Sequence, residues 1–226
     1  MAGMSLAKLG RQIQGPLRDV LEVVIFAFIL FILLQFVVMT VRVSGYSMEN
    51  TFHNNDLLVA ERISLDFSGP SRGQVVIINP PGIPGEQFIK RVIGLPGDKI
   101  EITGNYPVAG HPGQTQTAIL IEPGGKGPWD LVEEPFLPQP WVVNTSCCLL
   151  SGQESATPTV ETIPPNDYFV MGDNRNYSED SRFFGWVPKS HLVSVVLFRF
   201  WPLTAFGGYG PGPTLVPAPY PPQGIT

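Results

Sequence analysis

From Val20 to Val41 the chain reads VLEVVIFAFILFILLQFVVMTV, 22 residues with Glu22 and Gln35 as the main polar interruptions. At a rise of about 1.5 Å per residue, a helix of this length reaches roughly 33 Å, enough to cross a hydrocarbon core of about 30 Å. A cleaved secretory signal is the competing reading. Its apolar part runs to about 7–15 residues and ends in a small-residue cleavage motif, whereas TVRVSGY follows here. The run therefore predicts a retained transmembrane helix over 20–41, after an N-terminal segment of residues 1–19. Lys8, Arg11 and Arg18 precede the run and only Arg42 lies close behind it. That bias puts the N-terminus in the cytoplasm and everything after Val41 on the extracytoplasmic side.

What remains suffices for one folded domain of ordinary size. The net charge is −5 and the basic residues are scattered, so the footprint of a nucleic-acid binder is missing. Cys147 and Cys148 are adjacent, which strains a disulfide between them and supplies too few thiolates for structural zinc. His53, His111 and His191 have no ligand spacing, so no metal is expected.

Beyond the apolar run, short segments rich in β-branched and aromatic residues are separated by Gly, Pro, Asp and Asn. They fall at 56–63, 73–80, 87–94, 98–104, 167–173 and 191–201. The fold class predicted is mainly β, a partial barrel or sheet, with parts at 42–103 and 167–203. Residues 104–166, loaded with Gly, Pro, Thr and Gln, read as an insertion, although AILIE and WVVN within it suit strands. The tail, 204–226, carries so many prolines that it is expected to be extended or disordered and dispensable for chemistry.

Ser47 in GYSMENT follows Gly45, a residue that permits a tight turn and close approach of a substrate. A serine hydroxyl attacks a carbonyl only when a base takes its proton and donors face the oxyanion, and the Ser47 amide is one candidate donor. On its own such a motif is usually a surface turn. In QFIKRVIGLPGD, Lys90 shares a strand face with Phe88 and Val92, while Arg91 points the other way beside Ile89 and Ile93. Apolar neighbours disfavour the charged amine, so Lys90 can serve as the base; a guanidinium cannot, because it keeps its proton. The bland alternative has both cations snorkelling from an exposed edge. A third stretch, MGDNRNYSEDSRFFGW, carries Asp173, Arg175, Asp180 and Arg182 and reads as a turn stapled by carboxylate–guanidinium pairs. Ser178 inside it can orient a neutral lysine amine.

Together the apolar run, SGYSMENTFHNNDLLVAER, RGQVVIINP, FIKRVIGLPGDKIE and YFVMGDNRNYSEDSRFFGWV resemble, in the same order, the type I signal peptidases, membrane-anchored Ser/Lys proteases. The resemblance implies a serine endopeptidase that removes signal peptides from exported preproteins, cutting after small residues at −1 and −3, without cofactor. It makes Ser47 the nucleophile and Lys90 the general base, with Ser178 positioning the amine and Asp180 and Arg182 bracing the site. Two positions depart from the family pattern. Asn50 stands where proline is usual, which predicts a looser turn. Gly45 stands where some relatives place a second serine that lends its hydroxyl to the oxyanion, leaving backbone amides, chiefly that of Ser47 beside Gly45, as the donors. The 104–166 segment matches the family least.

Ser47 lies six residues past Val41, at most ~20 Å of extended chain, which holds it near the bilayer surface where a signal peptide presents its cleavage point. Met48, Phe52, Leu57 and Ile89 are the expected lining of the substrate pocket. Met48 and Phe52 with Phe183, Phe184 and Trp186 are a candidate set for dipping into lipid headgroups. The expected partners are signal peptides and the bilayer, for a monomer that binds no nucleic acid. Rival readings are a Ser47–His53–Asp56 hydrolase, a soluble self-cleaving protease of the same Ser/Lys logic, and a catalytically silent membrane-tethered module that captures exported chains.

Overall fold

A computed structural model of the chain describes residues 6–137 and 157–224, with side chains of the first helix at 18–32 and 37. The chain divides into an N-terminal unit ending at Met39 and a second unit beginning at Thr40. The first contains helix α1, Leu6–Val37, whose apolar side chains between Val20 and Ile32 are exposed. Among the described residues no helix is long and apolar enough to cross a membrane. The expected span also ran too far. Residues 38–41 belong to strand β1, Val38–Arg42, where β-branched Val38, Thr40 and Val41 favour extended backbone.

In chain order there follow β2 (Leu57–Glu61), helix α2 (Ile63–Phe67), β3 (Val75–Ile78), β4 (Phe88–Gly94) and β5 (Lys99–Pro107). Then come β6 (Thr115–Glu122), β7 (Asp130–Glu133), β8 (Glu161–Thr162), β9 (Asp167–Met171) and helix α3 (Ser181–Phe184). The last elements are β10 (Val187–Pro188), β11 (Leu192–Trp201) and β12 (Thr214–Pro217). One seven-stranded sheet has the order β1-β2-β11-β3-β4-β9-β10; a five-stranded sheet has the order β12-β7-β6-β5-β8. The six strand segments predicted from sequence correspond to β2, β3, β4, β5, β9 and β11. AILIE lies in β6, so part of the 104–166 segment builds the second sheet. WVVN, Cys147 and Cys148 lie outside the described residues.

Strand alternation decides which residues meet. Ile93 of β4 and Phe169 and Met171 of β9 pack with Ile100, Ile102, Ile119 and Ile121 of the second sheet. Their sequence neighbours Val92, Tyr168 and Val170 face the other way, into a second cluster with Val76, Ile78 and Leu65. A residue on β4 therefore enters one cluster or the other according to its parity, and the paired β3–β4–β9 ladder fixes that parity.

The tail is built into the domain, contrary to expectation. β12 pairs antiparallel with β7, from Thr214 opposite Glu133 to Pro217 opposite Asp130. Pro217 is tolerated because β12 is an edge strand, where a missing N–H need not break a ladder. Tyr209 donates its hydroxyl to the Val196 carbonyl at 3.0 Å and accepts from the Val75 amide at 3.3 Å. The buried Glu101 carboxylate accepts from the Gln223 and Gly224 amides at 3.0 and 2.6 Å.

Candidate active site

Ser47 sits in a turn between β1 and β2. Gly45 opens it at φ 98°, a conformation costly for residues with a Cβ. The Thr51 and Phe52 amides donate to the Met48 carbonyl at 3.0 and 2.8 Å, and the Met48 and Phe52 side chains are buried beneath. Asn50 has φ 76°, outside the reach of proline, so the departure at this position is a different turn closed by hydrogen bonds, not a looser one. Ser47 is half-buried; its carbonyl accepts from the Asn174 amide at 2.9 Å, and among the described residues nothing accepts from its own amide.

Lys90 and Arg91 are 2% and 0% exposed, which removes the snorkelling alternative. Parity sends Lys90 to the Phe88 and Val92 side of β4, with its Nζ 5.1 Å from the Phe88 ring centre. Nζ donates to Ser178 Oγ at 3.1 Å. Burial pushes the amine down to about 8, against the pull of Asp180, with Arg182 assisting the depression. Asp180 caps α3 and is fully enclosed, bonding Arg182 Nε at 2.8 Å and the Gly172 amide at 3.0 Å. Burial alone would push the Asp180 carboxyl up; Arg182, the Gly172 amide and Lys90 outweigh it and hold the group below the usual carboxylate range. Ser47, Lys90, Gly45, Tyr46, Asn174 and Glu179 are among the residues lining one open pocket of about 500 Å³.

Of the expected pocket residues, Met48 and Ile89 line a neighbouring cavity of about 160 Å³ that also reaches Ser47, Gly45 and Val43. Phe52 packs edge-on against Tyr209, and half-buried Leu57 lies on β2 opposite Trp201, away from both cavities. The candidate lipid-dipping set is dispersed as well. Met48 and Phe52 are in the core, Phe184 packs on Phe88 and Trp186 on Phe169, and only Phe183 is largely exposed. His53 uses its backbone amide, not its ring, toward Asp56, whose carboxylate is paired with Arg199 at 2.8 Å, so the Ser47–His53–Asp56 arrangement is not assembled.

The 171–186 turn is stapled only partly within itself. Asp180 pairs with Arg182, but Asp173 takes Arg91, and Arg175 takes Glu134 of the 104–166 segment. These partners escaped sequence reasoning. So did Gly172, at which an added Cβ would stand 2.2 Å from Ser178 Oγ and 2.5 Å from the Ser47 carbonyl oxygen. A glycine is needed there to let the two serine-bearing segments approach. Gly172→Ala is expected to fold yet lose about 10²-fold in kcat through misplacement of the order of 1 Å, measured by steady-state cleavage with Tm as the control.

Residues 17–201 match the protein family described as signal peptidase, peptidase S26, so the molecule is a peptidase, a hydrolase of peptide bonds. Signal peptidase I of Leptolyngbya laminosa is 32% identical over 176 residues, 74% of this chain and 71% of that protein. The probable signal peptidase I-1 of Synechocystis is 30% identical over 210 residues, 89% and 91% of the two chains. A crystal structure of a signal peptidase I from Enterococcus faecalis overlays with a TM-score of 0.37 at 27% identity, covering 56% of this chain and 95% of that one. The chain belongs to the signal peptidase family.

Proposed function

We propose that the protein is a membrane-anchored Ser/Lys endopeptidase that removes N-terminal signal peptides from exported preproteins, cutting after small residues at −1 and −3. Neutral Lys90 takes the Ser47 hydroxyl proton as Oγ attacks the scissile carbonyl, and the Ser47 amide stabilises the oxyanion. The Lys90 ammonium then protonates the departing amine of the mature chain. Water, deprotonated by Lys90 in turn, releases the signal peptide from Ser47. Ser178 holds the amine toward Ser47, and Asp180 with Arg182 fixes Ser178.

The single observation that carries this reading is an amine held near 8 by burial, bonded to Ser178 and opening on the same pocket as Ser47. The preference for small residues is supported by the small size of the cavity beside Ser47, about 160 Å³, to which Val43, Met48, Ile77 and Ile89 contribute apolar wall. Anchoring is supported by the apolar run that α1 carries from Val20 to Val37 and by the exposure of its side chains between Val20 and Ile32. With the N-terminus in the cytoplasm, the catalytic unit acts on the opposite face, where the cleavage points of exported chains emerge.

Detergent-solubilised full-length protein incubated with a signal-bearing precursor is expected to create one new N-terminus just after a small residue. Only the neutral amine is competent, so the rate is expected to climb roughly tenfold per pH unit up to about 8 and then level. A rate indifferent to pH between 6 and 8, or an intact precursor, would refute the mechanism.

A further inference from the structure

Glu134 directly follows β7, the strand between β12 and β6 in the second sheet, in the segment least like the family. Its side chain is 7% exposed and that of its partner Arg175 is 1%. The pair is bidentate: Arg175 Nη1 donates to Glu134 Oε2 at 2.7 Å and Nη2 donates to Oε1. Two residues on, the Phe136 ring lies against the Arg91 guanidinium, 4.3 Å from ring centre to Cζ. The short segment that leaves β7 thus meets two of the guanidiniums that border the 172–175 turn, those of Arg175 and Arg91.

That turn is the junction of the site. Arg175 Nε donates to the Gly172 carbonyl at 2.9 Å, folding the turn onto itself, and the Arg175 carbonyl accepts from Arg182 at 2.7 Å. The Asn174 amide donates to the Ser47 carbonyl, and Asn174 Nδ2 donates to the Tyr46 carbonyl at 3.0 Å. Gly172 is in touch with Ser178 as described. Whatever sets the Arg175 guanidinium therefore sets the spacing between the Ser47 backbone and the Ser178 hydroxyl that receives Lys90.

We infer that Glu134 is a positioning residue for the Ser47–Lys90 pair, acting through Arg175, so that the second sheet is part of the hydrolytic machinery and not only its scaffold. The inference rests on the Ser/Lys reading above. The groups facing Glu134 are Arg175, Asp173 and Arg91, and burial pushes its carboxyl up against the opposing pull of Arg175. Replacing the carboxylate by an amide keeps shape but weakens the grip on Arg175. The turn then relaxes, water reaches Lys90, and its amine moves back toward the ordinary range.

The test compares wild type, Glu134→Gln and Glu134→Asp as full-length protein in detergent, with two readouts. Precursor cleavage gives kcat and KM; a ¹³Cε titration of lysine-labelled protein, with Lys90 assigned by its loss in Lys90→Met, reads the amine independently of turnover. For Glu134→Gln the expectation is a fall of about 10- to 100-fold in kcat with KM within about twofold. The Lys90 midpoint should lie above about 8, with Glu134→Asp intermediate in both. Unchanged kcat and an unchanged Lys90 midpoint, with or without a lower Tm, overturn the proposal. If wild type leaves the precursor intact, the Ser/Lys reading fails, yet the Lys90 titration still decides whether Glu134 positions that amine. Should Glu134→Gln not fold, Glu134→Asp against wild type carries the same two readouts.

Discussion

Lys90→Met is expected to abolish cleavage and, at neutral pH, to make the protein harder to unfold. Under the proposed mechanism the first effect follows from removing the base: Ser47 keeps its hydroxyl but nothing takes its proton, a loss of at least about 10²–10⁴-fold. The second follows from the environment that makes the base useful. Holding the amine near 8 instead of its ordinary 10.5, at about 1.36 kcal/mol for each pH unit between, costs roughly 3 kcal/mol. Methionine is of similar length and carries no charge into the pocket. The sign with pH is fixed by proton binding. Below pH 8 the lysine is protonated in both folded and unfolded chains and the cost is full. Between 8 and 10.5 the unfolded chain binds the proton and the folded one does not, so wild-type stability rises with pH and the advantage of Lys90→Met shrinks. Urea unfolding at pH 7 and pH 10 measures this, with Ser47→Ala as the comparison that loses activity without the gain. Equal stability of Lys90→Met and wild type at both pH values would mean that the amine is not desolvated.

Much of this was legible in the chain because it depended on local rules. The period of two along FIKRVIG placed Lys90 and Arg91 on opposite faces, and β-branched runs between turn residues located the strands that carry the site. What escaped notice depended on register and on distant partners. Asp173 and Arg175 lie among charges that could satisfy one another locally; that they reach Arg91 and Glu134 instead follows from which strand lies beside β9 and from where the second sheet closes. Nothing local in the sequence separates Gly172 from other turn glycines, since its role depends on Ser47 and Ser178 converging there. Prolines argue against a strand with two partners, whereas β12 has one, so the tail's pairing is not legible from its composition.

The Arg91–Asp173 pair yields the largest expected loss of stability. Arg91 is fully enclosed, and its Nε and Nη2 meet the two Asp173 oxygens at 2.8 and 2.5 Å while Nη1 donates to the Gly73 carbonyl at 2.8 Å. Asp173 also accepts from Thr51 Oγ1 at 2.5 Å, which ties the Ser47 turn to β4 and β9. A guanidinium cannot shed its proton to escape an apolar site, so Asp173→Ala strands a full charge between the sheets and is expected to cost about 3–5 kcal/mol. Arg91→Leu leaves the carboxylate with the Thr51 hydroxyl still donating to it, so its cost should be smaller. Removing both charges in Arg91→Leu/Asp173→Leu eliminates the stranded ion, and the double variant is expected to be more stable than Asp173→Ala. Urea midpoints for the three variants at pH 7 test the ordering. A loss under about 1 kcal/mol for Asp173→Ala would mean that water enters to solvate Arg91. Cleavage adds a separate measure: with Thr51 released, the Ser47 turn loses its tie to the strand that bears Lys90, so the double variant should stay poorly active even where its stability recovers.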